Sequence, residues 1–283
     1  MKTKIAAAQI VQLDNQNGTT HEPDPTPSQD EKVNPKTLKG QSGMTSGLDL
    51  LHSLIQKVAP DTRVLLLPGG FFDSGYAKPD QLIAEIDQKI PKILKEEGKN
   101  LVVVLGIDGQ NMDDQLQVAY DQTGRIATAR KFHNVGTENL AKGPFETEMG
   151  QHRTISVDGK SMYMAVCYDV RGVRDHKEFI RKYGVILNSV HYLNTGGGSV
   201  DFARKLYGGA SQFSRSTVIG AAFFSDNLKK ENWASGIFVP DSQLKTGIRN
   251  LKYADIKLKP KTQLIGSKDL NGNYDVALHY YDV

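Results

Sequence analysis

The chain has one cysteine, Cys167, which closes the apolar run Ser161-Met162-Tyr163-Met164-Ala165-Val166 and is followed at once by Tyr168-Asp169-Val170-Arg171. A strand that runs out into a polar turn holds a thiol rigidly while leaving it reachable, and backbone N–H groups just beyond it can receive a developing oxyanion. Taken by itself, a lone cysteine is more often a small buried apolar residue. A nucleophilic thiol needs a base beside it in space, not in sequence. His133 is one candidate for a Cys-His pair, and His191, just after Asn188-Ser189, is another of the same kind. Most histidines are neither bases nor ligands, so neither stands out alone. The seven histidines are scattered, with no cluster at metal-ligand spacing, so no metal and no cofactor is expected. The run Gly196-Gly197-Gly198 lacks the Lys-Ser/Thr that completes a phosphate-binding loop and reads as a pocket rim.

Two further segments precede Cys167 in order: Leu67-Pro68-Gly69-Gly70-Phe71-Phe72 and Arg130-Lys131-Phe132-His133. With Cys167-Tyr168-Asp169-Val170-Arg171 they resemble the nitrilase superfamily of carbon-nitrogen hydrolases. That resemblance implies a triad of a Glu after a strand, a Lys in an Arg-Lys-x-His segment and a Cys in a Cys-x-Asp-x-Arg segment. Lys131 and Cys167 match it. The Glu does not: the family's Pro-Glu-x-Phe is Pro68-Gly69-Gly70-Phe71 here, so the family's general base is missing at Gly69. The resemblance further implies that the thiolate attacks a carbonyl or nitrile carbon, with Lys131 and the Tyr168 N–H beside the oxyanion and Lys131 lowering the thiol pKa. Glu138, seven residues after Lys131, falls where many members carry a second glutamate and is the expected substitute base. Tyr168, Asn188 and His191 are then expected at the substrate. His133, Asp169 and Arg171 are expected as supports, the last two pairing as carboxylate and guanidinium.

The elements that must position these groups follow from periodicity. Ile5 to Val11 reads as a buried strand, not a signal peptide, because Gln9 interrupts a short apolar stretch. A polar insertion at about 14–46, poor in large apolar residues, separates it from an amphipathic helix over 46–59. Such a loop is expected to cover the pocket or join a subunit interface. Val64–Leu67 and Leu101–Leu105 have the continuous apolarity of strands covered on both faces, and Leu82, Ile86, Ile90 and Leu94 mark a helix between them. Gln115–Tyr120 and Arg125–Arg130 flank the turn Asp121–Gly124 and read as the hairpin that delivers Lys131. Strands at 185–187, 217–224 and 235–239 and a helix near 202–214 follow, and no motif is visible past Leu251.

This alternation predicts an α/β fold. The resemblance, carried from Ile5 to about Pro240, implies a four-layer αββα sandwich in one domain over 1–283. With 39% hydrophobic residues and a formal charge of +3 spread among mixed signs, a sizeable core is expected, and neither nucleic acid nor a membrane as partner. A single cysteine excludes an internal disulfide and fits the cytoplasm. Two functions follow. One is an amidase-like carbon-nitrogen hydrolase or acyl transferase with an altered triad, acting on a small amide or nitrile-type substrate as a homodimer or larger homo-oligomer. The other is a degenerate relative that keeps the fold to bind a small molecule or a protein.

Overall fold

In a computed structural model, residues 2–12, 40–73, 80–108, 115–133, 153–173, 183–193, 199–224, 235–238, 258–270 and 274–283 are described. Its frame is set by one strand, β1 (Lys4–Gln12). Along all nine residues β1 pairs antiparallel with β12 (Tyr274–Asp282), whose outer edge takes β11 (Lys261–Ile265). Its other edge is shared. Ile5–Ala7 pair with β2 (Val64–Leu66), while Gln9–Val11 pair with β10 (Thr217–Phe224).

The sheet therefore forks at β1 into two leaves. One runs β2, β4 (Val102–Asp108), β5 (Leu116–Asp121) and β6 (Gly124–Arg130), with the short β3 (Phe72–Asp73) also on β4. The other runs β10, β9 (Val185–Leu193), β8 (Lys160–Val166) and β7 (Thr154–Val157).

The period-two alternation of each strand sorts its side chains between layers. Val64, Leu66, Val104, Ala119 and Ala129 from one leaf meet Met162, Met164, Val166, Leu187 and Ile219 from the other in a core between the leaves. The alternate residues Leu65, Leu67, Val103, Leu105 and Val118 face outward, under α1 (Gly40–Lys57) and α2 (Asp80–Glu96). On the far side Tyr163, Ala165, Ile186 and Val218 lie under α4 (Ser199–Ser214), with Val170 of the short α3 (Asp169–Gly172) beside them. Three apolar cores between four layers make an αββα sandwich.

Three expectations are corrected. The first helix begins at Gly40, six residues earlier than its apolar spacing indicated, so the polar insertion ends sooner; its residues 14–39 lie outside the described ones. Of the strand expected at 235–239, the described residues 235–238 show only an isolated bridge, from Ile237 to Val218. The tail in which no motif was visible supplies β12, which covers β1 along its whole length. The β7–β8 hairpin, also unforeseen, turns on Asp158 and Gly159, whose φ of 52° and 77° are what a two-residue turn between right-twisted strands requires.

Candidate active site

The C-terminal ends of the parallel strands β2, β4, β8 and β9 converge at one end of the gap between the leaves, where open α/β sheets bind ligands. Cys167 is the residue after β8. Its φ is 48°, in the left-handed region that non-glycine residues seldom occupy. Among the described residues two other non-glycines share this region: Asp158 in the hairpin and Arg215 just past the end of α4. Cys167 stands in the turn between β8 and α3. A backbone held there costs on the order of 1–3 kcal/mol, and such strain collects at functional sites. Its N–H donates to Ser189 O at 2.8 Å, which ties the turn to β9, and its side chain stays half-buried.

His191, two residues further along β9, is buried, and its Nε2 lies 2.5 Å from Asp108 Oδ1 at the end of β4. Nε2 being taken, the other ring nitrogen, Nδ1, has no aligned hydrogen-bond partner among the described residues, and the Cys167 thiol, just past the end of the neighbouring strand β8, interacts with the ring. The charges follow from this packing. Burial alone pushes the Cys167 thiol up, but the hydrogen bond and positive charge of His191, with the charge of Lys131, outweigh it and hold the thiol below its ordinary value. Burial alone pushes the His191 imidazolium down, but the Asp108 carboxylate and the Cys167 sulfur raise it to about 10.

Lys131 arrives on the next rows of the same leaf. Ile107 pairs with Leu116, Leu116 pairs with Arg130, and the Lys131 N–H donates to Gln115 O at 2.9 Å, so Asp108, Gln115 and Lys131 stand side by side across three strands. All three are buried and continue the face that carries Val104, Ala119 and Ala129 into the gap. A clamp fixes the Lys131 segment to the cysteine turn. Asp169 Oδ1 accepts the N–H of Phe132 at 2.9 Å and of His133 at 2.8 Å. Its Oδ2 accepts the N–H of Val166 and lies 3.3 Å from an Arg153 nitrogen. Arg153 is fully buried and also lies over the Phe132 ring, 4.8 Å from its centroid.

Gly69 belongs to the turn after β2, held by its N–H to Val190 O at 3.0 Å. A Cβ placed on Gly69 would lie 2.7 Å from His191 Nδ1 and 2.8 Å from Cε1. On Gly70, whose φ is 63°, it would lie 2.8 Å from Asp108 Oδ2. The two glycines therefore leave the space that the imidazole and its carboxylate fill.

Of the residues singled out from the sequence, the structure brings Cys167, Lys131, Gly69 and His191 to one place. Glu138 lies outside the described residues. Asp169 pairs with Arg153 and not with Arg171, whose guanidinium instead donates to Tyr168 Oη at 2.6 Å and lies over that ring. The His133 ring rests against Tyr168 with centroids 5.5 Å apart. Asn188 is buried and donates to Tyr207 Oη at 2.9 Å; its place on β9 turns it to the α4 layer, opposite to Ser189 and His191. Asp108, Gln115 and Arg153 were not singled out. Asp108 had a signal, a carboxylate closing the otherwise apolar strand Val102-Val-Val-Leu-Gly-Ile107; Arg153 had none. Among the described residues no group of three His, Cys, Asp or Glu is placed to hold a metal ion, and no helix is long and apolar enough to cross a membrane.

No protein-family model matches the chain, and no curated protein matches it. Among solved structures it is similar to Nit3 of Saccharomyces cerevisiae, a member of branch 10 of the nitrilase superfamily. The identity is 16%, over 99% of this chain and 89% of that chain, with a TM-score of 0.52. An amidase from Nesterenkonia sp. AN1, of the same superfamily, is similar at 16% identity over 78% of each chain, with a TM-score of 0.47. At this identity the likeness is one of fold: the chain has the αββα fold of the nitrilase superfamily.

Proposed function

We propose that the chain is a cysteine-dependent carbon-nitrogen hydrolase, or an acyl transferase of the same chemistry, acting on a small amide or nitrile-type substrate. The observation that carries this reading is the strained turn at Cys167, which presents a half-buried thiol held below its ordinary pKa by the buried side chains of His191 and Lys131. A thiol kept inert for packing has no need of either feature. In the reaction the thiolate attacks the substrate carbon, the oxygen or nitrogen charge develops beside Lys131 and the Tyr168 N–H, the leaving nitrogen departs protonated, and water or a second acceptor takes the acyl group. The homo-oligomeric and cytoplasmic setting expected from the sequence belongs to the same reading.

Turnover of a panel of short amides, nitriles and activated esters, with mass spectrometry of the quenched protein, tests it. An acyl adduct on Cys167 and loss of turnover in Cys167→Ala are expected, and hydroxamate formation with added hydroxylamine marks a transferase. Turnover that survives Cys167→Ala defeats the proposal. A folded protein that shows no turnover on any member of the panel, yet binds one of them, favours the degenerate binding protein.

A further inference from the structure

We infer that the proton acceptor for Cys167 is His191, oriented by Asp108, and that it occupies the volume which a side chain at position 69 would need. Resting on the cysteine-nucleophile reading, this inference names the missing partner and replaces the expectation placed on Glu138.

The turn carrying Gly69 is held against β9 by the Gly69 N–H to Val190 O, so turn and histidine move as a unit. Gly69 does not adopt a positive φ, so its backbone would accept a glutamate; what stands in the way is the imidazole, 2.7 Å from where a Cβ would start. A glutamate at 69 and the present His191 rotamer exclude one another. His191 in turn has what a base requires: one nitrogen fixed by a buried carboxylate, the other without an aligned partner among the described residues, and the thiol of Cys167 at the end of the neighbouring strand interacting with it. The charged and titratable groups facing this pair among the described residues are Asp108 from β4, Lys131 from the end of β6 and the Tyr207 hydroxyl from α4.

The steps balance. In the resting pair the thiol proton sits on His191. The thiolate forms a C–S bond to the amide carbon, the carbonyl electron pair moves to oxygen, and on collapse the C–N bond breaks as His191 gives its proton to the leaving nitrogen. The neutral imidazole then takes a proton from water, hydroxide adds to the thioester, the C–S bond breaks, and acid leaves with thiolate and imidazolium restored.

The test compares the parent protein with His191→Gln, Gly69→Glu and the double variant Gly69→Glu/His191→Ala. Glutamine can still donate to Asp108, so that variant keeps the buried carboxylate paired. The first readout needs no substrate: the pH at which iodoacetamide begins to alkylate Cys167. It is expected to move up in His191→Gln, because the cation that holds the thiolate is gone; an unmoved profile overturns the inference whether or not turnover is found. The second readout is acylation by the ester or amide found active. His191→Gln should lower it on the order of a hundredfold to ten-thousandfold. Gly69→Glu alone should lower it too, by displacing the ring. The double variant should recover part of the loss and lose the alkaline limb near pH 10 that the imidazolium gives the parent. Gly69→Glu more active than the parent overturns the inference. An alkylation shift without turnover on any substrate leaves the Cys–His pair standing and defeats the hydrolase reading alone.

Discussion

Two successive rungs of the gap between the leaves each carry a glutamine and end up differently. In the lower one Gln117 of β5 reaches across to Ser189 of β9, Nε2 to Oγ at 2.7 Å, and Ser189 passes its own proton to Leu67 O at 2.8 Å. One step further along the same strands, Gln115 faces the level of His191. There Nε2 and Oε1 of Gln115 and Nδ1 of His191 have no aligned partner among the described residues, and the neighbouring Cys167 backbone is strained. The lower rung joins the leaves. The upper one leaves both carboxamide atoms of Gln115 and one ring nitrogen without an aligned partner among the described residues, where the lower leaves Gln117 Oε1 alone.

The comparison breaks most directly at Asp108. Asp108→Asn keeps the size of the side chain but removes the charge that holds His191 protonated and can let the imidazole reorient. Acylation should fall on the order of a hundredfold or more while melting changes little beside it. A fall in melting with acylation intact would place Asp108 with the lower rung.

Arg153→Met is expected to act in the opposite sense, through the fold. It leaves the fully buried Asp169 without its ion partner, at a cost of about 3–5 kcal/mol. Because Asp169 also holds the Phe132 and His133 N–H groups, alkylation of Cys167 should lose part of the help of Lys131 as well. Chemical denaturation reads the first effect and the alkylation rate the second.

The pH dependence of stability separates the rungs again. In Cys167→Ala the sulfur no longer titrates, and His191 still faces Asp108. A histidine whose folded pKa is raised contributes stability that is fully present below its ordinary value of 6.5 and is lost as pH rises through the folded value. Melting of Cys167→Ala should therefore decline on the alkaline side of 6.5, and the decline should shrink in Cys167→Ala/Asp108→Asn. Parallel profiles in the two variants would show that the Asp108 charge does not reach the ring.

Much of this was legible from one dimension and some was not. The strand ending at Cys167 and the hairpin delivering Lys131 declare themselves through apolar runs bounded by turn residues, because both depend on neighbours in sequence. Asp108 and Arg153 act through partners on other strands, Asp108 on His191 83 residues away, and residue type alone does not reveal such pairing. β12 was missed because Tyr274-Asp-Val-Ala-Leu-His-Tyr-Tyr-Asp282 alternates irregularly and its assignment comes from lying against β1. The vacancy at Gly69 was visible as a loss. Only the third dimension shows a ring from β9 standing in the same space.

The smallest effect is the most discriminating between the rungs. Gln117→Leu removes the donor that joins Ser189 to the other leaf and should cost about 1 kcal/mol. Gln115→Leu removes a buried carboxamide with neither atom paired among the described residues, so none of them is left unsatisfied and the desolvation that group suffers is relieved. Its stability should be unchanged or higher by up to about 1 kcal/mol. Both substitutions put a side chain of similar volume at buried positions two residues apart on one face, so differences in exposure largely cancel, and paired denaturation curves isolate the hydrogen bonding. Equal losses in the two variants would mean that Gln115 is bonded as Gln117 is, and the distinction between a structural and a functional rung would fall with it.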